Sequence, residues 1–447
     1  MSKKLTTAIA LAVCLAAGTA PAAAQNATPA PAPPANANPN KPTQVAGGPV
    51  NYEESLTGNY SLPDPLLLSN GQRVTDPETW YNQRRPELVR LFEDNQFGRT
   101  PGRPAGMSFD VFEKGTPALD GKAIRRQVTV YFSPDRNGPK MDMVMYLPAN
   151  ARGPVPLLLN LSFFANAATF PDSAIKLGET WGPNKQRVPA RRATTSRLDI
   201  KPFLAAGIGF ASIYYGDIDP DFLGGVPLGV RSLFLKPGQT EFAANEWGSV
   251  SAWAWGLSRA LDYFETDAQV DAKRVAITGA SRLGKTVLWA GARDPRFAMV
   301  IASVSGEGGA ALSRRDYGEK IEHLTAPTRY PYQFAANYAK YGGANVAQFP
   351  VDAHELISLI APRPLLLQTG DQDYWSDPKG EFLAAVASEP VWKLLGERGL
   401  ETATLPAPNE PILHTLGYLM HAGGHGTFPT DWPVFLRFMQ MHLHPER

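Results

Sequence analysis

The sequence predicts a doubly wound α/β domain, with helices on both faces of a mostly parallel sheet. Residues 155–161 and 208–215 are near-continuous apolar runs, as expected of strands that are covered on both faces. Such runs alternate along the chain with segments of helical spacing, which is the rhythm of βαβ units. At residues 274–290 an apolar β-branched run stops at a glycine, a serine follows, and the sequence continues into helix-forming residues.

The individual elements follow from local patterns. An acidic start and apolar residues at helical spacing predict an amphipathic helix over residues 76–93, broken or kinked at Pro86. Period-2 alternation around a turn rich in Pro, Asp, Asn and Gly predicts an antiparallel pair of strands at 124–132 and 141–147. The remaining strands are predicted at 155–161, 208–215, 275–278, 299–304 and 364–369, and the remaining helices at 247–265, 285–290, 378–388 and 432–442.

The first 24 residues predict a secretory signal peptide. Two lysines precede a short apolar core at residues 9–17, and three alanines at 22–24 offer a cleavage site. The core is too short to span a bilayer, so we expect no membrane association of the mature form and a secreted or periplasmic location. Cys14, the only cysteine, would be removed with the signal peptide, which excludes disulfides and cysteine chemistry.

A linker and one domain account for the rest of the chain. Residues 25–48 are mostly Asn, Ala, Pro, Thr and Gly, so they bury too little apolar surface to become ordered. We expect a single catalytic domain over residues 49–447, which is long enough to be stable without disulfides. The 43 basic and 42 acidic residues nearly balance, and this balance argues against a nucleic-acid partner.

The segment 274–285 predicts a nucleophile elbow. A strand, a tight turn and a helix lift the hydroxyl of Ser281 out at the end of a parallel sheet, although the spacing Gly-x-Ser-x-x-Gly differs from the commoner Gly-x-Ser-x-Gly. The backbone N–H and the guanidinium of Arg282 can both donate to a developing oxyanion. Lys285, one helical turn further on, is placed to meet substrate hydroxyls or a carboxylate-derived group.

The same turn also satisfies a phosphate-loop pattern. Residues 279–286 read Gly-x-x-x-x-Gly-Lys-Thr, which is the spacing of a nucleotide-binding loop. Such a loop works with a strand that ends in a magnesium-binding aspartate, whereas the strand at 299–304 runs into Ser305 and Gly306. We therefore favour the elbow.

A nucleophilic serine needs a base and an acid, which follow it in the order acid, then histidine, in hydrolases of this architecture. His425 is flanked by glycines that let its loop approach the serine, and it is the expected base, with His421 as the alternative. Asp373, just after the last predicted strand, is the expected acid. Asp371 and Asp377 remain alternatives, and both also fit the role of a turn former or helix cap.

A set of short motifs, spread from about Trp80 to Trp432, matches one known family. They lie at residues 279–285, 305–315, 318–319, 350–352, 361–364, 373–378, 380–382 and 423–425. Together they resemble the glucuronoyl esterases of carbohydrate esterase family 15. The resemblance implies a serine esterase of the α/β-hydrolase fold, a three-layer sandwich, that uses neither a cofactor nor a metal. It also implies a substrate in which glucuronic acid of xylan is esterified to a lignin alcohol.

The resemblance also implies a role for each matching residue. Ser281 corresponds to the nucleophile, His425 to the base and Arg282 to an oxyanion contributor. A cation, a carboxylate and an indole N–H can read the polar rim of a sugar. The residues that correspond to ligands of the uronic acid's hydroxyls are Lys285, Glu319 and Trp375.

Three segments depart from the family's pattern. Val304 stands where many members carry the glutamate of the triad, so the acid role falls to Asp373, with Glu307 as the fallback. Residues 332–334 read Tyr-Gln-Phe in place of His-Trp-Phe, and residues 166–167 read Asn-Ala in place of Asn-His. An altered pocket wall and a shifted substrate preference are therefore expected.

We predict an exported, monomeric serine esterase that acts on glucuronoxylan or on lignin-carbohydrate esters. In this mechanism Ser281 attacks the ester carbonyl, His425 relays the proton, and water hydrolyses the glucuronoyl-enzyme. Two alternatives stay open. One is an acetyl-xylan or other carbohydrate esterase on the same fold, and the other is a non-catalytic carbohydrate-binding protein.

Overall fold

The computed structural model describes residues 41–443, so the predicted signal peptide and most of the predicted linker lie outside the described residues. The end of that linker differs from expectation, because Gln44–Val45 pairs with Gly48–Pro49 as a short hairpin. The hydroxyl of Tyr52 also donates to the carbonyl of Pro42 at 2.9 Å. Amino-acid composition does not predict such contacts. They order residues 42–49 and connect them to the residues that follow.

Strands and helices alternate through the described residues. The strands are β1 (Gln44–Val45), β2 (Gly48–Pro49), β3 (Ser108–Ala118), β4 (Ala123–Tyr131), β5 (Lys140–Pro148), β6 (Val155–Ser162), β7 (Glu179–Trp181), β8 (Arg187–Pro189), β9 (Gly209–Tyr214), β10 (Val270–Ala280), β11 (Met299–Ser303), β12 (Leu365–Gly370), β13 (Ile412–Leu413) and β14 (Leu416–His421). The α-helices are α1 (Pro77–Thr79), α2 (Arg85–Phe92), α3 (Asn166–Thr169), α4 (Lys201–Ala205), α5 (Tyr215–Ile218), α6 (Ser249–Phe264), α7 (Arg282–Arg293), α8 (Ile321–Thr325), α9 (Ala353–Ser358), α10 (Pro378–Leu394) and α11 (Asp431–His442).

Ten strands form one mixed sheet, in the order β13-β14-β12-β11-β10-β6-β9-β5-β4-β3. The pairs between β14 and β9 are parallel, and the pairs at both edges are antiparallel. The predicted strands correspond to β4, β5, β6, β9, β10, β11 and β12. Strand β3 escaped prediction because none of its residues is buried and it includes a glycine and a proline, so it lacks an alternating pattern.

Alternate side chains of the central strands enter two separate cores. In β6, Leu157 and Leu159 pack on the larger core with helices α6 and α7, whereas Leu158 packs on the second core. That second core also holds Phe203 of α4 and Phe438 of α11. Because side chains of a strand point alternately to opposite faces, helices cover the sheet on both sides. This confirms the predicted doubly wound architecture.

The carboxyl ends of the parallel strands share one edge of the sheet, and this edge positions the functional residues. Helix α7 begins at Arg282, directly after the serine and three residues earlier than its composition predicts. The predicted amino-terminal helix is present as α1 and α2, joined by a wider turn at Trp80–Arg84 just before Pro86. None of the described helices is long and apolar enough to cross a membrane.

Candidate active site

Ser281 lies in a tight turn between β10 and α7. Its backbone has φ 59° and ψ −127°, a conformation that costs a non-glycine residue about 1–3 kcal/mol and that concentrates at functional sites. The turn is close to its neighbours, because the N–H of Ser281 donates to the carbonyl of Ser303 at 2.9 Å. A Cβ on Gly279 would lie 2.6 Å from the carbonyl oxygen of Leu283, so only glycine fits there.

The second glycine of the elbow has a separate reason. A Cβ on Gly284 would lie 2.5 Å from the carbonyl oxygen of Ser303, so the glycine lets α7 approach β11 closely. This explains the unusual spacing, in which the second glycine lies three residues after Ser281 rather than two. The elbow predicted from the sequence is therefore present as a strand–turn–helix with its serine at the carboxyl edge of the sheet.

His425 and Asp373 form a hydrogen-bonded pair beside this turn. The Nδ1 atom of His425 lies 2.7 Å from Oδ2 of Asp373, and the hydroxyl of Ser376 is 3.2 Å from the same nitrogen. The side chain of His425 is 37% exposed, whereas that of Asp373 is 1% exposed. Since Nδ1 is engaged by the carboxylate, Nε2 is the nitrogen left to take a proton. His425 and Ser281 line the same cavities.

The alternative histidine, His421, is held in the interior. Its Nδ1 lies 2.9 Å from Oδ2 of Asp431 and its Nε2 lies 2.9 Å from the carbonyl of Gly424. The ring stacks on Phe428 at 4.0 Å between centroids. Burial lowers the pKa of His421, but the hydrogen bonds to Asp431 and Gly424 outweigh it and raise this pKa above its ordinary value. Both nitrogens are occupied, so His421 fastens the loop that carries His425.

The two alternative aspartates also have structural partners. Asp371 accepts the N–H of Gly423 at 2.7 Å and so ties the histidine loop to the end of β12. Asp377 caps α10 by accepting the N–H of Gly380 at 2.9 Å, and it pairs with Arg315 at 2.9 Å. Burial raises the pKa of Asp377 to about 6, although Arg315 opposes the shift. These contacts agree with the structural roles that the sequence also allows, a turn former for Asp371 and a helix cap for Asp377.

Neither Val304 nor Glu307 supplies the acid that contacts His425. Val304 lines the cavity beside Ser281, so an apolar side chain occupies this wall. Glu307 is committed elsewhere, because its Oε1 accepts hydrogen bonds from Tyr338 at 2.6 Å and Ser313 at 2.7 Å. Burial raises the pKa of Glu307 to about 8, despite these two donors. Of the candidate acids, Asp373 is the one that contacts His425.

A polar cavity of about 230 Å³ opens beside Ser281. The predicted sugar ligands Lys285, Glu319 and Trp375 all line it. Lys285 is buried, its Nζ donates to the carbonyl of Ser305 at 2.6 Å, and it lies 3.8 Å from Glu319. Burial lowers the pKa of Lys285, and Glu319 partly offsets this. An ammonium group and a carboxylate therefore lie next to each other in a small cavity, and both side chains are largely shielded from solvent.

Residues that sequence reasoning missed complete the polar cavity. Arg329 donates to Oε1 of Glu319 at 3.2 Å, and its guanidinium lies 5.6 Å from the ring centre of Trp375. Tyr330 also lines this cavity, and its ring lies under the guanidinium of Arg282 at 4.8 Å. These residues lie in an irregular segment after α8 with no motif of its own, so the sequence carried no signal for them.

A larger apolar cavity of about 680 Å³ also reaches Ser281 and His425. It runs between the ends of the central strands and helices α4 and α11, away from the polar cavity. Six of its apolar lining residues are Phe163, Phe164, Phe203, Pro429, Trp432 and Leu436. Within residues 41–443, no group of three His, Cys, Asp or Glu side chains converges as a metal site.

The sheet order, the elbow and the histidine loop define the class of this protein as an α/β-hydrolase. A family model described as "Glucuronyl esterase, fungi" matches residues 242–396. The chain is 41% identical over 403 residues to "Carbohydrate esterase MZ0003" of an unknown prokaryotic organism, covering 88% of this chain and 92% of that protein.

A solved structure and a fungal relative agree with this match. A glucuronoyl esterase from Solibacter usitatus is 44% identical with a TM-score of 0.83, over 87% of this chain and 100% of that one. The 4-O-methyl-glucuronoyl methylesterase of Phanerochaete carnosa is 26% identical over 342 residues, covering 75% of this chain and 72% of that one. The chain belongs to the glucuronoyl esterases, carbohydrate esterase family 15, and is a carboxylic ester hydrolase. The predicted resemblance, the α/β-hydrolase fold and the enzyme class are confirmed.

Proposed function

We propose that this glucuronoyl esterase hydrolyses esters of glucuronic acid or its 4-O-methyl ether through Ser281, His425 and Asp373. The observation that carries the proposal is the position of Ser281 and His425 between two cavities of opposite character. An ester has an acyl side and an alcohol side, and attack on the carbonyl carbon requires the serine to lie between them. The polar cavity fits a uronic acid, and the apolar cavity fits the alcohol.

The proposed reaction is acyl transfer in two steps. Ser281 attacks the carbonyl carbon while Nε2 of His425 takes its proton, and the same proton then passes to the departing alcohol. Asp373 holds the ring by its hydrogen bond to Nδ1 and stabilises the imidazolium. Water then hydrolyses the glucuronoyl-enzyme with His425 again as base. The N–H of Arg282, at the first position of α7, and its guanidinium stabilise the oxyanion.

Recognition of the sugar is assigned to the polar cavity. Lys285 and Glu319 bind ring hydroxyls as donor and acceptor, because both line the cavity and a hydrogen bond to a charged group is stronger than one between neutral groups. Trp375 offers an indole N–H and an aromatic surface, a combination suited to a sugar ring. Acetyl groups have no hydroxyls to use these contacts, so this cavity favours a uronic acid over an acetyl substrate.

The alcohol side of the substrate is assigned to the apolar cavity. Its aromatic and aliphatic lining can cover a bulky alcohol, and burial of apolar surface there is worth about 25 cal/mol per Å². This supports lignin alcohols, esterified to glucuronoxylan, as the leaving groups. Export of the enzyme, which such a polymeric substrate requires, rests on the predicted signal peptide at residues 1–24.

The test is hydrolysis of benzyl glucuronate by wild type and by Ser281→Ala. We expect the variant to lose activity by about 10⁴-fold or more, because the hydroxyl that attacks the carbonyl carbon is removed. Ser55→Ala, on an exposed serine, is the matched control and should match wild type. Retained activity in Ser281→Ala would contradict the mechanism.

A substrate panel tests the specificity separately. Benzyl and methyl glucuronate should be cleaved much faster than acetylated xylan, and benzyl galacturonate serves as a control for the sugar. Faster release of acetate would instead assign the chain to the acetyl-xylan esterases. Binding of glucuronoxylan without turnover of any ester would support a carbohydrate-binding protein.

A further inference from the structure

Arg282 forms an ion pair with Asp221, a residue that does not line the polar cavity. Its NH1 pairs with Oδ2 of Asp221, whose side chain is 8% exposed, while that of Arg282 is 28% exposed. The guanidinium also lies 4.8 Å from the ring centre of Tyr330 and 6.0 Å from that of Phe163. One nitrogen of the cation is therefore fixed in the protein, and the side chain of Arg282 lines the polar cavity beside Ser281.

Asp221 is in turn fixed by three further donors. Its Oδ1 accepts from the amide of Gln333 at 2.6 Å. The hydroxyl of Tyr332 donates to the same residue, lying 2.9 Å from the backbone carbonyl oxygen of Asp221 and 3.0 Å from its Oδ1. Its Oδ2 accepts from the hydroxyl of Tyr215 at 3.1 Å, in addition to Arg282. Both carboxylate oxygens are thus engaged from opposite sides, and Asp221 has little freedom to turn.

The protonation states favour this network. Burial raises the pKa of Tyr332, and the neighbouring Asp221 raises it further, so the phenol stays a donor. Burial lowers the pKa of Arg282, but the charge of Asp221 outweighs that effect and raises the pKa above its ordinary value. Tyr332 therefore remains a hydrogen-bond donor and Arg282 remains a cation.

We propose that Asp221 is a positioning residue for Arg282, and that Tyr332 and Gln333 fix Asp221 in turn. The proposal rests on the proposed role of Arg282 as a donor to the oxyanion. An arginine has several rotatable bonds, and a donor that is already in place costs no reorganisation when charge develops on the substrate oxygen.

An alternative effect of Asp221 has the opposite sign. A carboxylate beside Arg282 also reduces the positive potential that the oxyanion experiences, so its neutralisation could speed the reaction. In Asp221→Asn one of the two acceptor oxygens becomes an N–H₂ and the negative charge is lost, so the side chain can no longer accept from the donors on both of its oxygens and holds Arg282 less firmly. If positioning dominates, kcat falls, and if damping of charge dominates, kcat rises.

A double-mutant cycle on benzyl glucuronate separates these effects. Asp221→Asn should lower kcat by about 10- to 100-fold with little change in KM, because an oxyanion donor acts in the transition state. In the Arg282→Met background, which keeps a long unbranched side chain without the cation, the same change should alter kcat by less than about twofold. Asp217→Asn is the control: it neutralises an aspartate of the same segment that pairs with Arg187 at 2.7 Å, outside both cavities.

Each outcome of the cycle decides between the proposals. If Arg282→Met leaves kcat unchanged, the oxyanion role and the positioning role both fail. If Arg282→Met lowers kcat but Asp221→Asn raises kcat, leaves it unchanged or lowers it equally in both backgrounds, the positioning role alone fails. Tyr332→Phe removes a single donor and should give a smaller loss that also vanishes in Arg282→Met. This milder variant keeps the test valid should Asp221→Asn not fold.

Discussion

The two histidines of the loop after β14 differ because their carboxylate partners lie in different places. His425 is 37% exposed and pairs with Asp373, whereas His421 is 1% exposed and pairs with Asp431. A half-exposed imidazole on a fixed carboxylate can exchange a proton with a substrate. A fully buried imidazole with both nitrogens occupied acts only as a link between segments.

The identity of the acid is tested by removing each candidate in turn. Asp373→Ala should lower kcat on benzyl glucuronate by about 10³- to 10⁴-fold, because His425 loses the group that orients it. Glu307→Gln should stay within about tenfold of wild type, since Glu307 bonds Tyr338 and Ser313 instead. The reverse order of effects would reassign the acid to Glu307.

The sugar contacts are tested by comparing two substrates on one variant. Glu319→Gln should lower kcat/KM for methyl glucuronate by about 10- to 100-fold, the equivalent of about 1.5–3 kcal/mol for a hydrogen bond to a charged group. The rate on p-nitrophenyl acetate should change little, because acetate has no hydroxyls. Glu322→Gln, outside the polar cavity, is the control. An equal loss on both substrates would show that Glu319 acts through the fold.

At the scale of elements, the site depends on the pairing of parallel strands. Gly370 at the end of β12 lies opposite His421 at the end of β14, so the loops that follow these strands emerge side by side. Asp373 and His425 lie on those loops, 52 residues apart in sequence. Ser281 follows β10, which is separated from β12 by β11 alone. The sheet therefore delivers nucleophile, acid and base to one edge.

The elbow is tested by adding one methyl group. Gly279→Ala places a Cβ 2.6 Å from the carbonyl oxygen of Leu283, and we expect a loss of about 1–3 kcal/mol in unfolding free energy from overpacking. Ser281 should also be displaced, so its labelling by a phosphonate inhibitor should slow. Gly102→Ala, where a Cβ meets nothing within 4 Å, is the control for urea unfolding and for labelling. Equal behaviour of the two variants would contradict a packed elbow.

At the scale of the whole molecule, the domain buries ionisable groups beneath the site. Glu307 and Glu381 are almost fully buried, and burial raises the pKa of each to about 8. Their carboxyl groups are therefore neutral in the folded protein at neutral pH, whereas the unfolded chain ionises them. Stability and pH are coupled wherever such a difference exists.

The coupling predicts a slope of stability with pH. The pKa of Glu307 rises from an ordinary 4.5 to about 8 on folding, so its contribution to stability is complete below pH 4.5 and is lost as pH rises towards 8. Glu307→Gln should make this decline shallower in urea unfolding at pH 5.5, 7 and 8.5. Glu78→Gln, on an exposed residue, should leave the slope as it is in wild type. An unchanged slope in Glu307→Gln would show that this carboxyl does not titrate as expected.

The sequence by itself determined the fold class, the elbow and several of the residues that lie around it. Strands covered on both faces and a serine in a tight turn each require particular residue types at adjacent positions. Both features can therefore be recognised from a short stretch of sequence. It also gave Lys285, Glu319 and Trp375 through the family's motifs. It failed at β3, where no residue is buried and no alternating pattern results, and at the start of α7, where a strained serine rather than a common cap precedes the helix.

Only the tertiary structure decided which partners meet. Asp371, Asp373 and Asp377 look alike in sequence, yet Asp373 alone of these three reaches His425. Asp221 lies 61 residues from Arg282 and 112 from Gln333, so no local pattern could link them. Such pairings join residues that are far apart in sequence and meet only in the folded chain. The periodicity of apolar residues predicts only whether a residue is buried. The ion pairs and hydrogen bonds that hold the charged side chains of this site in place are therefore the part that sequence reasoning missed.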